Sequence, residues 1–342
     1  MICLFVFLTD KLKKRARLKS PLFLASLFLL LSSFLSTKIT AQELFPHNEI
    51  ASSVPKNVLG VRLFGESYDE FGTQRNMAAM RFMYGVTSRL SVSATPTLSN
   101  HHSGNLPLGL VTHTHNNNDT IYQTGTFARG IHYDYRFNGV HFLAKYRVIT
   151  KDGDHEHFRV AVYGEGSFNN SAHDESEPNL MDDTKGYGGG VLVTYLKNHF
   201  AVSFNSGFVI PGTYTETTPD FYGGEQTTSL TYGKALNYNL SLGYLIYPFH
   251  YKKYSDTNIN VYLEFMGKSY DQARVVQNNT EIEPKTDLLL SGNYVEMHPG
   301  IQFIIDSNLR IDFTVGFPVI NKSFARFYPI YMLGVQRYFY FK

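Results

Sequence analysis

The chain has 342 residues with 31 basic and 29 acidic side chains, one cysteine, 24 tyrosines and 27 phenylalanines. The single cysteine, Cys3, excludes a disulfide framework and any Cys-rich metal centre. The slightly negative mean hydropathy fits a chain in which only alternate residues need an apolar surround.

The first segment has the form of an export signal. Lys11, Lys13, Lys14, Arg15, Arg17 and Lys19 precede the apolar run Pro21–Leu35. An apolar run of fifteen residues is short for a membrane-spanning helix of about 20. A small residue, Ala41, then offers a cleavage point, so residues 1–41 read as a secretory signal peptide. That segment holds seven basic residues, one acid and Cys3, which leaves 24 basic and 28 acidic residues and a formal charge of −4. The electrostatic case for nucleic-acid binding disappears with it. Residues 42–57 read as a periplasmic lead-in and residues 58–342 as one barrel.

From Val58 onward the sequence alternates at period two, the spacing of half-buried strands. Val58–Gly65 and Asn76–Tyr84 are the first two strands, joined by an expected loop at Glu66–Arg75. Arg89–Leu98 shows the alternation most plainly: Leu90, Val92, Ala94, Pro96 and Leu98 against Ser91, Ser93, Thr95 and Thr97. Thr126–Ile149 is too long for one ordinary strand, and its apolar face switches at Asn138-Gly139, where a bulge or an extra hairpin is expected. We expect a descending strand at Val140–Ile149. Phe158–Phe168, Gly186–Leu196, His199–Ile210, Thr231–Tyr247, Asn258–Tyr270, Leu290–Ile305 and Leu309–Val319 follow. The closing strand runs from Ile330 to the end of the chain, with Tyr331, Leu333, Val335, Phe339 and Phe341 on one face.

That predicts an all-β, transmembrane, antiparallel up-and-down barrel of about twelve strands. Its connections alternate between short and long, as short periplasmic turns and long extracellular loops do in outer-membrane barrels. A soluble sandwich gives no reason for sorting connections by length, nor for strands of 10 to 13 residues rather than the usual five or six. An open edge cannot sit in lipid, so the last strand must close on the first.

The polar face of such a barrel points inward. Arg62, Arg81, Lys145, Arg147, Arg159, Glu165, Glu264, Lys268, Glu296, His298, Arg310 and Asp312 are the lumen-lining candidates. Both signs occur, so they can pair across the lumen and fill it, or form a selectivity surface. Arg337 falls on the lipid face of the closing strand, where a mid-membrane basic residue costs roughly 2–4 kcal/mol.

Three stretches carry a family resemblance. Arg81–Ala94 (RFMYGVTSRLSVSA), Ala144–Val148 (AKYRV) and Pro299–Asp312 (PGIQFIIDSNLRID) resemble hairpins of the outer-membrane transporter-like proteins grouped as the MetA-pathway of phenol degradation family. The resemblance covers most of the chain after the signal peptide, residues 1–41. It implies a barrel that passes small, often aromatic or apolar, compounds. The His-rich first long loop departs from the family pattern.

The remaining clusters have weaker chemistry. His101, His102, His113 and His115, with His173 and Asp174 in the next long loop, are the candidate metal ligands, because closely spaced imidazoles can chelate zinc, copper or nickel. His155 and His157 flank Glu156 in an expected short turn and form a weaker pair. Asp174, Glu175, Glu177, Asp182 and Asp183 form an acidic loop that either binds calcium or is simply solvated. Gly186, Gly188, Gly189 and Gly190 lack the strand-to-helix context of a phosphate-binding loop and read as space in a barrel wall. There is no GxSxG or HExxH motif, so no enzyme and no cofactor are expected.

The expectation is therefore an outer-membrane channel of a Gram-negative bacterium for passive passage of a small solute, aromatic or apolar on the family resemblance. The alternative is a plugged barrel acting through its His-rich and acidic loops in metal capture, adhesion or a structural role. Expected partners are outer-membrane lipid and lipopolysaccharide, the barrel-assembly machinery through the C-terminal strand, and the solute; no nucleic acid is expected.

Overall fold

The computed structural model describes residues 45–101, 132–173, 175–219, 223–249, 253, 255–284, 287–323 and 326–341. Among them lie sixteen strands: β1 Val58–Glu70, β2 Thr73–Gly85, β3 Leu90–Ser99, β4 Arg136–Gly153, β5 Glu156–Ser167, β6 Gly186–Lys197, β7 Phe200–Pro211, β8 Thr213–Pro219, β9 Glu225–Thr231, β10 Ala235–Tyr247, β11 Asn258–Tyr270, β12 Arg274–Gln277, β13 Thr280–Ile282, β14 Gly292–Ile305, β15 Leu309–Lys322 and β16 Ile330–Tyr340. Twelve of these form a closed antiparallel barrel. Each barrel strand pairs with the next along the chain, and β16 pairs back on β1 from Val58–Tyr340 to Ser67–Tyr331. Closure satisfies every strand edge, which an apolar surround demands.

The alternation in the sequence sorts the two faces. Phe82, Phe142, Phe204, Leu240, Phe313 and Leu333 stand exposed on the outside, while Arg62, Lys145, Ser203, Glu264, Gln302 and Asp312 are buried within. An apolar exterior around a polar interior is the arrangement of an outer-membrane barrel. Arg337 does lie on the outer face, but only three residues before the end of β16, with its guanidinium over the Phe339 ring at 5.8 Å.

Both termini of the barrel lie at one end, the turn end. There β4 meets β5, and β6 meets β7, across two residues, and β14 meets β15 across Asp306–Asn308. The other end carries the long connections, with one exception. The expected loop at Glu66–Arg75 is instead strand, turned by Phe71 and Gly72, both at positive φ. Polar residues filled both strands there because they run beyond the apolar belt, where no lipid-facing pattern is imposed.

The switch of face at Asn138-Gly139 is a bulge. Thr97 pairs with Gly139 and Leu98 with Phe137, so Asn138 has no partner across the ladder. Gly139 has φ of 140°, and a Cβ there would collide with Asn169. Two long connections contain strands of their own: β8, β9, β12 and β13 form a separate four-stranded sheet. A small core of Ala172, Leu230, Tyr232, Ala273, Val275 and Leu289 packs in that region.

Candidate functional site: an occluded lumen with a polar cavity

Two segments that are not barrel strands fill the lumen. Residues 45–57 lie inside it from the turn end, crossing from the β11 and β15 wall to the β2 and β4 wall. The backbone N–H groups of His47 and Asn48 each donate to the Glu264 carboxylate at 3.0 Å, and Ser241 Oγ donates to it at 2.8 Å. Arg310 Nη2 donates to the Phe45 carbonyl at 3.0 Å, while its Nε holds Asp312 at 2.8 Å. Thr194 Oγ1 accepts from Ala51 N, and Lys145 Nζ donates to the Ile50 carbonyl at 2.8 Å. Phe45 and Ile50 pack on Ala201 and Tyr262. The sequence of this segment has few regular-structure signals, and the wall satisfies its backbone in place of a ladder.

The charge at the centre of the segment is Glu49, which pairs with Arg81 and with Lys145 at 3.1 Å. Burial alone would raise its carboxyl; Lys145 and Arg81 outweigh that and hold it at about 2. His47 is pushed well below its ordinary value by burial, then by repulsion from His298 and Arg62. Its Nε2 lies 2.8 Å from Thr314 Oγ1 and its ring is 4.4 Å from that of His298.

The second segment is the connection between β5 and β6. Glu177 pairs with Lys268 at 2.6 Å and accepts from Tyr294 Oη at 2.6 Å. Burial would raise this carboxyl, but Lys268 and Arg326 hold it below the usual range. Leu180 packs on Val209, Ala235, Tyr270 and Tyr294, and Met181 on Phe64, Met77 and Met332. Thr97 and Asn169 donate to the carbonyls of Met181 and Leu180. Arg326, from the connection before β16, binds Glu296 at 2.8 Å, and Tyr328 Oη donates to the same carboxylate at 2.9 Å.

Between these two segments lies a cavity of about 250 Å³, with His47 and Glu49 on one side and Glu177 to Met181 on the other. Its wall includes Glu66, Arg81, His141, Glu165, Lys268, Glu296, His298, Asn205 and Asn237. His141 Nε2 lies 2.9 Å from Glu165, and His298 Nε2 lies 3.0 Å from Glu296. The opening glycines of β6 shape this wall. Gly190, with Gly207 on β7, leaves room for the Tyr163 ring, which a Cβ at either position would strike.

The twelve lumen candidates therefore fall into groups. Arg81, Glu165, Lys268, Glu296 and His298 line the cavity. Arg62, Lys145, Glu264, Arg310 and Asp312 are buried against the N-terminal segment and its neighbours. Arg147 and Arg159 stand at the turn end, where Arg147 donates to the Ser88 carbonyl and Arg159 holds Asp152 and Ser52. Glu49, His141 and Arg326 complete the site without having been singled out in the sequence. His141 was legible in principle, since it shares the inward register of Leu143 and Lys145.

Of the candidate metal ligands, His102, His113, His115 and Asp174 lie outside the described residues. His101 Nδ1 faces Asp182 at 2.7 Å. His173 stacks on Tyr232 with ring centroids 3.7 Å apart and lies 3.5 Å from Asp183. Among the described residues no group of three or more His, Cys, Asp or Glu side chains is arranged to hold a metal.

The fold is similar to that of an outer membrane channel from Pseudomonas putida F1, at TM-score 0.50 and 12% identity over 87% of this chain and all of that one. A looser likeness, at TM-score 0.39 and 10% identity, covers 83% of this chain and all of the NanC porin. No protein-family model and no curated protein matches the sequence.

Proposed function

We propose that the protein is an outer-membrane channel for a small solute, captured in a closed conformation. The observation that carries this reading is the cavity bounded by two inward-folded segments of a barrel whose exterior is apolar. A barrel built only as a membrane rivet has no need to keep a charged space at its centre. The path runs along the lumen, and passage requires one or both segments to shift. The polar, charged wall favours a polar solute over the aromatic or apolar one that the family resemblance implies. The motifs behind that resemblance fall on β2 and β3, on β4, and on β14 and β15. They support membership of the phenol-degradation-pathway transporter-like family as a reading of the fold, not of the solute.

On the same reading, the barrel resides in the outer membrane of a Gram-negative bacterium, contacts lipopolysaccharide, and is inserted by the assembly machinery through β16. The occlusion also favours a second reading, a plugged barrel that acts through its external surface. Single-channel recording of the refolded protein in a planar bilayer separates the two. Discrete openings, brief because both segments must shift, are the expected result. A folded barrel, shown by heat-modifiable gel mobility, that stays electrically silent and solute-tight overturns the channel.

A further inference from the structure

Among the carboxylates of the cavity wall, Glu66 stands apart. Glu49 is matched by Arg81 and Lys145, Glu177 by Lys268, and Glu296 by Arg326. Glu165 has His141 at 2.9 Å. Glu66 has no hydrogen-bond donor among the described residues, and its nearest basic atom is His47 Nδ1, 3.9 Å away. His47 is held well below its ordinary value, so at neutral pH it brings no charge to that pair. Burial raises the Glu66 carboxyl, and Arg326 and His298, farther off, do not cancel that. With 28% of its side chain exposed, Glu66 is the most accessible of these five carboxylates; Glu49, next, has 17%. A desolvated carboxylate without a donor is costly. This one can take its partner from the lumen.

The place of Glu66 in the lumen gives that charge leverage. A second space of about 50 Å³ adjoins the cavity towards the long-connection end, and Glu66, Glu177 and Arg326 line both. The wall of the smaller space also carries Glu175, Asp182 and Asp183, while Arg326 is its one guanidinium or ammonium group. That guanidinium is taken up by Glu296 at 2.8 Å. A solute moving between the two spaces therefore passes an accessible carboxylate with no cation of its own. Carboxylates at a constriction attract cations and repel anions, and a low-dielectric wall strengthens that field.

We propose that Glu66 is a charge filter between the two spaces, and that the solute it favours carries a positive charge, such as an ammonium group. This deepens the channel reading and rests on it for the passage itself. Recording in a planar bilayer under a steep KCl gradient tests it, at pH 8 to keep the carboxyl ionised. The reversal potential of the wild type should have the sign of cation preference. Glu66→Gln keeps the shape and removes the charge. It should lower the potassium-to-chloride permeability ratio by at least about fivefold, the effect of one unit charge about 4 Å from an ion in water. Glu66→Lys should reverse the preference. Anion preference in the wild type overturns the filter, and so does an unchanged ratio in folded Glu66→Gln. Should that variant misfold, the smaller Glu66→Asn takes its place. Binding keeps the two proposals apart. Saturation-transfer difference NMR on the full protein in detergent uses methylammonium and acetate as probes. Saturable transfer to methylammonium, lost in Glu66→Gln, and none to acetate is expected. A conducting barrel without cation preference refutes the filter alone. A silent barrel that binds methylammonium through Glu66 refutes the channel alone. A silent barrel whose methylammonium binding is absent, or unaffected by the variant, overturns both.

Discussion

The two segments that close the lumen are held by the same kinds of contact in different proportion. Residues 45–57 are fixed by wall side chains that read their backbone: Glu264 takes two amides, while Arg310 and Lys145 each take a carbonyl. The β5–β6 connection also has its carbonyls read, by Thr97, Asn169 and Lys268, but it adds more packing, with Leu180 and Met181 seated in two apolar clusters and Glu177 as its charged anchor. Buried ion pairs of good geometry are costly to break from one side, because the remaining charge is stranded. Apolar contacts yield more gradually. On the proposed channel reading, the N-terminal segment is expected to act as a latch that is either seated or released, and the loop as a closure that loosens by degrees.

Breaking the latch should give the largest effect. Glu49→Leu strands Arg81 and Lys145, and should cost the seated segment roughly 3–5 kcal/mol. Hydrogen exchange at the amides of residues 47–51 should lose its protection, and bilayer current should rise. A variant that keeps both unchanged would show that Glu49 is not what holds the segment. The corresponding change in the second segment, Glu177→Gln, should do less, because the amide keeps the side-chain volume and only Lys268 loses its carboxylate, Arg326 retaining Glu296. A loss of about 1–3 kcal/mol is expected. It should appear as faster labelling of a Met181→Cys probe by a polar maleimide, with protection of residues 47–51 preserved.

Acid sharpens the contrast within the latch itself. Glu49 has a depressed value, so its contribution is complete above 4.5 and is lost only as pH falls towards about 2. His47 is a base held below its ordinary 6.5, so it favours the seated state while neutral, and that contribution begins to fall as pH drops below 6.5. Its neighbours are His298, Glu296, Glu66, Arg62 and Arg326, the same groups that set its field. Protection of residues 47–51, corrected for intrinsic exchange rates, should therefore decline between pH 6.5 and 4.5. In His47→Gln that interval should be flat. A decline that persists in His47→Gln would assign the titration to another group.

Much of the barrel was legible in the sequence, because a wall with lipid on one face and water or plug on the other imposes period two. Asn258–Tyr270 and the Asp306–Asn308 turn fall where the alternation puts them. The pattern fades where one of those surrounds is missing. Glu66 to Asp69 continue β1 beyond the belt, and Thr213–Pro219 and Glu225–Thr231 pair outside it, so their polar residues look like loop. The candidate site was half legible for the same reason. Inward charges such as Lys268 and Glu296 sit on alternating strands, whereas Glu49 and Glu177 sit on irregular segments whose contacts are made by the wall opposite. Nothing local in either segment specifies the strand on which its partner stands.

The outer wall offers the smallest and most specific test, because it asks whether this surface meets lipid near Arg337. Mid-membrane, a basic residue costs roughly 2–4 kcal/mol, but the cost falls to about 0–1 near an interface. Arg337 pairs across the ladder with Val61, three residues from the start of β1, and lies over Phe339 near the turn end. Its chain is long enough to carry the guanidinium outward to the headgroups. Arg337→Leu should therefore raise the unfolding free energy in lipid vesicles by no more than about 1 kcal/mol, and should leave it unchanged or lower in detergent, where no fixed interface exists. A gain of several kcal/mol in vesicles would put Arg337 deep in the bilayer and shift the whole apolar belt towards the turn end. The N-terminal latch would then sit lower in the membrane than the loop closure, and an opening at that end would face the periplasmic leaflet rather than the centre of the barrel.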